Sequence, residues 1–332
     1  MANLVISDVC NLDCSYCFAG EYMQKARDSR LPVFISLEAF EARLDFLDRL
    51  GIGEARLIGG EPTLHPQFAE LVQRARQRGK KIAVFSHGVL TEVALECLAA
   101  LPPEVCSVLI NMNAAGRNPA AERARRYSVL QRLGSRVLMG YNIYQVDFEA
   151  DDLLPLILET SCRKSIRLGL AQPSLDGHND CLHPKQYPLV ASKIVRLAQK
   201  AHAWGISLEF DCGFVRCMFS DADIEALQQT NVKIGWHCGP VPDIDLSGRA
   251  LHCFPLATNY TSSIKGIIKL DELIDALAAQ TRLHRTAGIY RECSCCKYKL
   301  GGECRGGCLA NTLLRFRQSS QQVSLPGILL AS

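Results

Sequence analysis

The stretch Val9-Cys10-Asn11-Leu12-Asp13-Cys14-Ser15-Tyr16-Cys17-Phe18 decides how this 332-residue chain is read. It sets three thiols, Cys10, Cys14 and Cys17, at Cys-x3-Cys-x2-Cys spacing. A [4Fe–4S] cubane is normally held by four cysteines. Three leave one iron with an open position for a small molecule. A zinc knot or a set of reduced, buried thiols is the alternative. Zinc sites, however, favour four ligands and paired Cys-x2-Cys hooks.

Outward from this stretch, strands alternate with helices. The apolar run ANLVISDV reads as a strand that delivers Cys10. Ser36 is placed to cap a helix with Leu37, Phe40, Leu44 and Leu47 at helical spacing, closed by Gly51 and Gly53. ARLIGG is a second strand, followed by a helix with Phe68, Leu71, Val72 and Ala75 on its apolar side, ending at Gly79. KIAVFSHG, VCSVLINMN, RVLMGYNIY and SIRLGLAQ supply four more strands. The helix after the third strand breaks at Pro102 and Pro103, and DDLLPLILETS carries Pro155 in its early turns. Pro188 to Trp204 is expected to be amphipathic, with Val190, Ile194, Leu197, Ala201 and Trp204 on one face. Such alternation implies parallel βαβ units. A Rossmann-like open sheet is disfavoured, since no Gly-x-Gly-x-x-Gly follows the first strand.

Bulk properties narrow the function. The formal net charge of +3 gives no argument for nucleic acid or an acidic membrane. Basic clusters at Arg74–Arg78 with Lys80 and Lys81, and at Arg123–Arg126, are expected to be solvated helix faces. No signal peptide and no apolar run of membrane-spanning length is visible, so a cytoplasmic protein is expected. In a reducing compartment, 16 cysteines read as metal ligands more readily than as disulfides. Nine of them crowd between Cys212 and Cys308. Cys97, Cys106 and Cys162 fall on predicted elements or their edges and read as small buried hydrophobes, with Cys181 in a loop.

The Cys10–Cys17 loop, with Tyr16 before and Phe18 after its third cysteine, resembles the cluster loop of radical S-adenosylmethionine (SAM) enzymes. The resemblance implies a partial (β/α)6 TIM-like barrel over residues 1–205, with chemistry at the carboxyl ends of its strands. It implies a [4Fe–4S] cluster whose open iron binds SAM, and reductive cleavage of SAM to a 5′-deoxyadenosyl radical that takes hydrogen from a substrate. Gly59-Gly60-Glu61-Pro62 resembles the family's GGEP motif for the methionine amino group. Ser86-His87-Gly88 stands where relatives often have Thr-Asn-Gly; His87 reads as a satisfied loop histidine. Asn111, and after it Asn113 and Asn142, are the further candidates for SAM contact, with capping or turn formation as their alternative.

A boundary is expected near residues 205–211. Residues 206–318 resemble a SPASM or twitch extension carrying one or two auxiliary iron–sulfur clusters. By that analogy Cys217 or Cys212 joins Cys238, Cys253 and Cys308 at one cluster. Cys293, Cys296 and Cys304 serve a second. No cysteine follows Cys308, where the SPASM pattern has a final one. The second site is then completed by another ligand, open, or absent, and Cys295 is a substitute ligand or a bystander. A zinc ribbon is the alternative. The tail, 319–332, is expected to be loosely ordered.

The resemblance implies a peptide or protein side chain as substrate, a reductant such as flavodoxin or ferredoxin, and a separate peptide-recognition partner in place of a fused one. A small-molecule dehydrogenase or cyclase is the alternative. A non-catalytic metal-binding or electron-transfer scaffold is a third reading.

Overall fold

Leu4, Val5 and Ile6 of β1 (Asn3–Ser7) expose no surface. A consecutive apolar run with both faces covered is the mark of a strand inside a parallel sheet. The computed structural model, which describes residues 1–29, 32–113, 119–175 and 179–321, builds that sheet around it.

After β1 come α1 (Gly20–Asp28), α2 (Leu37–Arg49), β2 (Glu54–Gly59), α3 (Phe68–Gln77), β3 (Lys81–Ser86), α4 (Glu92–Ala99) and β4 (Cys106–Asn111). Then follow α5 (Pro119–Leu133), β5 (Val137–Ile143), α6 (Leu153–Glu159), β6 (Ser165–Leu170), α7 (Tyr187–Ala203) and β7 (Ser207–Phe210). The last third holds α8 (Asp221–Gln228), β8 (Val232–Lys233), β9 (Asp243–Ile244), β10 (Arg249–Leu251), β11 (Thr261–Ser263), α9 (Leu270–Ala279), α10 (Arg282–Ala287), α11 (Lys297–Leu300) and α12 (Leu309–Gln321).

The described strands form one sheet in the order β11-β10-β9-β1-β2-β3-β4-β5-β6-β7-β8. Strands β1 to β8 pair in parallel with their neighbours. This is the expected partial barrel, with the ends of β1 to β6 carrying the loops singled out in the sequence. β9 adds to the free side of β1, through Asn3↔Asp243 and Leu4↔Ile244, and β10 and β11 continue antiparallel. The sheet crosses the expected boundary, because β7 pairs in parallel with β6.

Local expectations mostly translate directly. Ser36 accepts a hydrogen bond from the Ala39 amide, and Gly51 and Gly79 end their helices at positive φ. Three differences stand out. α1 carries no apolar stripe, and only Met23 is buried; it forms where the cluster loop turns back. Trp204 caps α7 and is 45% exposed, off the buried face formed by Val190, Ile194, Leu197 and Ala201. α12 extends to Gln321, so the first tail residues are helical; residues 322–332 lie outside the described residues. Among the described residues no helix is long and apolar enough to cross a membrane.

Candidate active site and cysteine groups

The loop after β1 turns tightly, with the Cys17 amide donating to the Cys14 carbonyl at 3.0 Å. Its three thiols are half-buried. Burial pushes Cys10 up to about 12 and Cys14 up to about 11, and the neighbouring thiols push in the same direction. Such crowding disfavours bare thiolates and is relieved when a cationic metal group takes their charge.

Two glycines let the end of β2 press against this loop. A Cβ on Gly59 would lie 2.1 Å from the Ser7 carbonyl oxygen, and one on Gly60 would lie 2.4 Å from that of Val9. Glu61 exposes no surface. Its carboxylate accepts from the Thr63 amide and hydroxyl on one oxygen, and from the Ser86 hydroxyl and His87 amide on the other. The carboxylate therefore ties the β2 loop to the β3 loop. Pro62 opens the short 3-10 turn that follows. His87 is satisfied, as expected: Nδ1 accepts from the Val89 amide, and Nε2 lies 2.7 Å from Asn11 Oδ1.

Tyr16 is buried and stacks on Tyr144 at 4.8 Å, and its hydroxyl accepts from Asn111 Nδ2 at 2.9 Å. Asn111 thus braces the cluster loop from β4. Asn113 bridges the strand ends, donating to the Asn142 carbonyl and accepting from the Asn142 amide at 2.7 Å. The Asn142 side chain lies against Gly169, where a Cβ would come within 2.6 Å of its Oδ1. Phe18 faces Phe254, with ring centroids 6.3 Å apart.

Arg126 departs from the expected solvated face. It is 4% exposed, pairs with Glu122 at 2.6 Å and donates to the His87 carbonyl. Its charge lowers the Cys14 thiol against the dominant effect of burial. The signal available in the sequence was Glu122 at i,i+4, which supplies the counter-charge a buried arginine needs. Also unanticipated is the loop after β6. Asn179 donates to the Tyr16 carbonyl and the Gln172 carbonyl, and Asn311 of α12 reaches Gln172 Oε1 at 3.4 Å. A polar chain therefore joins the C-terminal helix to the cluster loop.

The later cysteines fall into two groups. Cys238-x9-Gly248-x4-Cys253 spans β9 and β10, with Gly248 at positive φ in the turn between them. Cys212, Cys238, Cys253 and Cys308 shift one another's ionisation and so lie together. The hydrogen bond from the Cys308 thiol, then the Arg285 guanidinium, lowers Cys238 to about 5 against the opposing effect of burial. Arg285 Nη2 lies 3.3 Å from its sulfur. His252, beside Cys253, is 1% exposed and neither ring nitrogen has a partner. Burial first, and Arg285 second, lower it to about 4. Two orphaned buried nitrogens beside a ring of thiols fit a site that receives a further group.

Cys217 lies with Cys293, Cys296 and Cys304 instead. Cys295 is exposed, and its thiol donates to the Glu292 carbonyl. Cys106 and Cys162 are buried as expected. Among the described residues no three His, Cys, Asp or Glu side chains converge tightly enough for a single metal ion.

Comparison with known proteins fits this geometry. The sequence profile of the Radical SAM superfamily matches residues 4–135. Residues 4–135 thus carry a radical SAM domain. That family consists of enzymes using a [4Fe–4S] cluster and SAM, and the three-thiol loop beside Gly60 suits that pair. The chain is 33% identical over 87 residues to the GTP 3′,8-cyclase of Pasteurella multocida, and 32% identical over 94 residues to that of Synechocystis. Those matches cover 26–28% of this chain, which spans only about a quarter of the length of those relatives (25% and 28%). In fold it resembles Streptococcus suis SuiB bound to its precursor peptide SuiA, with TM-score 0.63 and 15% identity over 93% of this chain and 72% of that one. It also resembles anSMEcpe with bound AdoMet, with TM-score 0.63 and 15% identity over 97% of this chain and 95% of that one.

Proposed function

We propose that this chain cleaves SAM reductively and abstracts hydrogen from a peptide side chain, with auxiliary iron–sulfur clusters in its C-terminal region. The observation that carries the reading is the placement of Cys10, Cys14 and Cys17 together against the Gly60–Glu61 turn. When bound, the cluster and SAM supply an electron and a carbon-centred hydrogen abstractor. The chain does the rest. Cys10, Cys14 and Cys17 hold three corners. Glu61, spent on Thr63, Ser86 and His87, positions the glycine turn. Arg126, paired with Glu122, braces the loop after β3 through the His87 carbonyl. Tyr16, Tyr144 and Phe18 exclude water from one side.

The peptide reading is supported by the fold shared with peptide-bound SuiB and by two adjoining cavities. One cavity, lined by Phe18, Tyr22 and Phe254 among others, shares Leu175 and Asn259 with a second that reaches Phe316 and Arg317. Two adjoining cavities suit a ligand with more than one side chain, as a peptide has. A flavodoxin or ferredoxin as reductant, and a separate recognition protein, belong to the same proposal.

The test is anaerobic incubation of reduced, reconstituted protein with SAM and short peptides encoded near its gene. Formation of 5′-deoxyadenosine together with a peptide mass change is expected. If no 5′-deoxyadenosine forms with any acceptor, the radical reading fails. The partial matches to GTP 3′,8-cyclases favour a second reading, a small-molecule cyclase. It predicts turnover on nucleotides or other free metabolites and none on peptides.

A further inference from the structure

We propose that Cys217 is the fourth ligand of the second auxiliary site, closing it from upstream with Cys293, Cys296 and Cys304, while Cys212 closes the first with Cys238, Cys253 and Cys308. This rests on the cluster reading above and goes beyond it: the sequence pattern left the second site one cysteine short, and the fold supplies the missing one from before Cys238.

The argument begins with two thiols only five positions apart. Cys212 follows β7, and Cys217 sits in a 3-10 turn, Arg216–Met218. Between them Phe214 and Val215 are 0% and 1% exposed. These buried side chains anchor the segment between the two thiols, which are themselves exposed. The turn with Cys217 is pinned to the downstream cysteine segment at two points. The Arg216 guanidinium lies 5.0 Å from the centre of the Tyr298 ring, between Cys296 and Cys304 in sequence. Val215 Cγ1 sits 3.0 Å from where a Cβ on Gly307, itself at positive φ, would be.

The rest of the second site is shaped around sulfur. A Cβ on Gly288 would lie 2.7 Å from Cys293 Sγ. Gly288, Gly306 and Gly307 all hold positive φ. The Gly306 amide donates to Cys304 Sγ at 3.3 Å, a contact that favours a thiolate. Cys295 stands outside, turned to the Glu292 carbonyl.

Ligation is a proton-for-metal exchange without redox change. Each thiol forms an Fe–S bond as its proton leaves to solvent.

The full chain, reconstituted anaerobically with ferrous iron and sulfide, tests the allotment by non-additivity. Wild type should hold about twelve irons, from three four-iron cubanes; a count near four refutes the auxiliary clusters themselves, separately from who ligates them. A Cys293→Ala/Cys296→Ala variant should lose about four of these. Adding Cys217→Ala to that background should remove no more, whereas adding Cys212→Ala should remove about four more. Cys217→Ala alone should change the same low-temperature EPR signal as the double variant, and Cys295→Ala should change none. A further loss of iron when Cys217→Ala is added, or an unaltered EPR spectrum in Cys217→Ala alone, overturns the assignment. If Cys217→Ala alone does not fold, the additions to the folded double variant still decide.

Discussion

The barrel strands β1 to β6 and the cysteine-rich segment 212–308 are held together by different means. The barrel strands are five to seven residues long and fill a single core with Leu57, Val84, Val108, Met139 and Leu168, all at 0% exposure. In the later segment β8 to β11 span only two or three residues each. Elements this short bury little apolar surface of their own. The segment instead wraps thiols with glycine-rich backbone. The segment also buries Phe214, Leu227, Leu273 and Leu277 in the common core, so metal bound at its thiols would add to order that its side chains begin, while the barrel's order comes from its side chains alone.

The largest expected effect separates chemistry from fold. Cys14→Ala should abolish 5′-deoxyadenosine formation while the circular dichroism spectrum and melting temperature of the metal-free chain stay near wild type. A matching loss of secondary structure would show that the loop is part of the barrel's framework.

Removal of metal by chelation should come next. Hydrogen exchange in 212–308 should become fast, while amides of β2 to β5 stay protected. Equal loss of protection in both regions would break the contrast outright.

Within the barrel, Leu57→Ala should cost about 2–5 kcal/mol in denaturant unfolding of the metal-free chain. A cost below about 1 kcal/mol would mean the strand core is less decisive than its burial indicates.

The smallest effect lies at the seam between the regions. Burial lifts the Asp243 carboxyl to about 7, with Asn3 and Arg56 opposing it. Because the folded value is raised, stability is full below about pH 4 and falls as pH rises to about 7. Asp243→Asn should therefore stabilise the chain by about 1–3 kcal/mol at pH 8 and leave it unchanged at pH 4. A destabilisation at pH 8 would mean the ionised carboxylate itself holds β9 to Asn3.

The same contrast governs what was readable in the residues. β1 to β6 announce themselves through apolar runs between glycines, because each strand's fate depends on its own side chains. α1 was missed because GEYMQKARD buries only Met23 and owes its helix to the turn at Cys17. Arg126 looked like part of a basic surface because its burial depends on which face of α5 meets the strand ends. The neighbours of Cys212 and Cys217 are likewise set by tertiary placement, which spacing alone does not give. The Glu61 carboxylate accepts from Thr63, Ser86 and His87, a geometry that no linear motif displays.

The pairing of β1 with β9 carries a consequence for assembly. Asn3 and Leu4 meet Asp243 and Ile244 across 240 positions of sequence. A ribosome must therefore release nearly three-quarters of the polypeptide before the strand leading into Cys10 has both its neighbours. Contacts this remote form late and slowly. The strand that leads into the Cys10–Cys17 loop is thus locked on its second side only after Asp243 and Ile244 have been made.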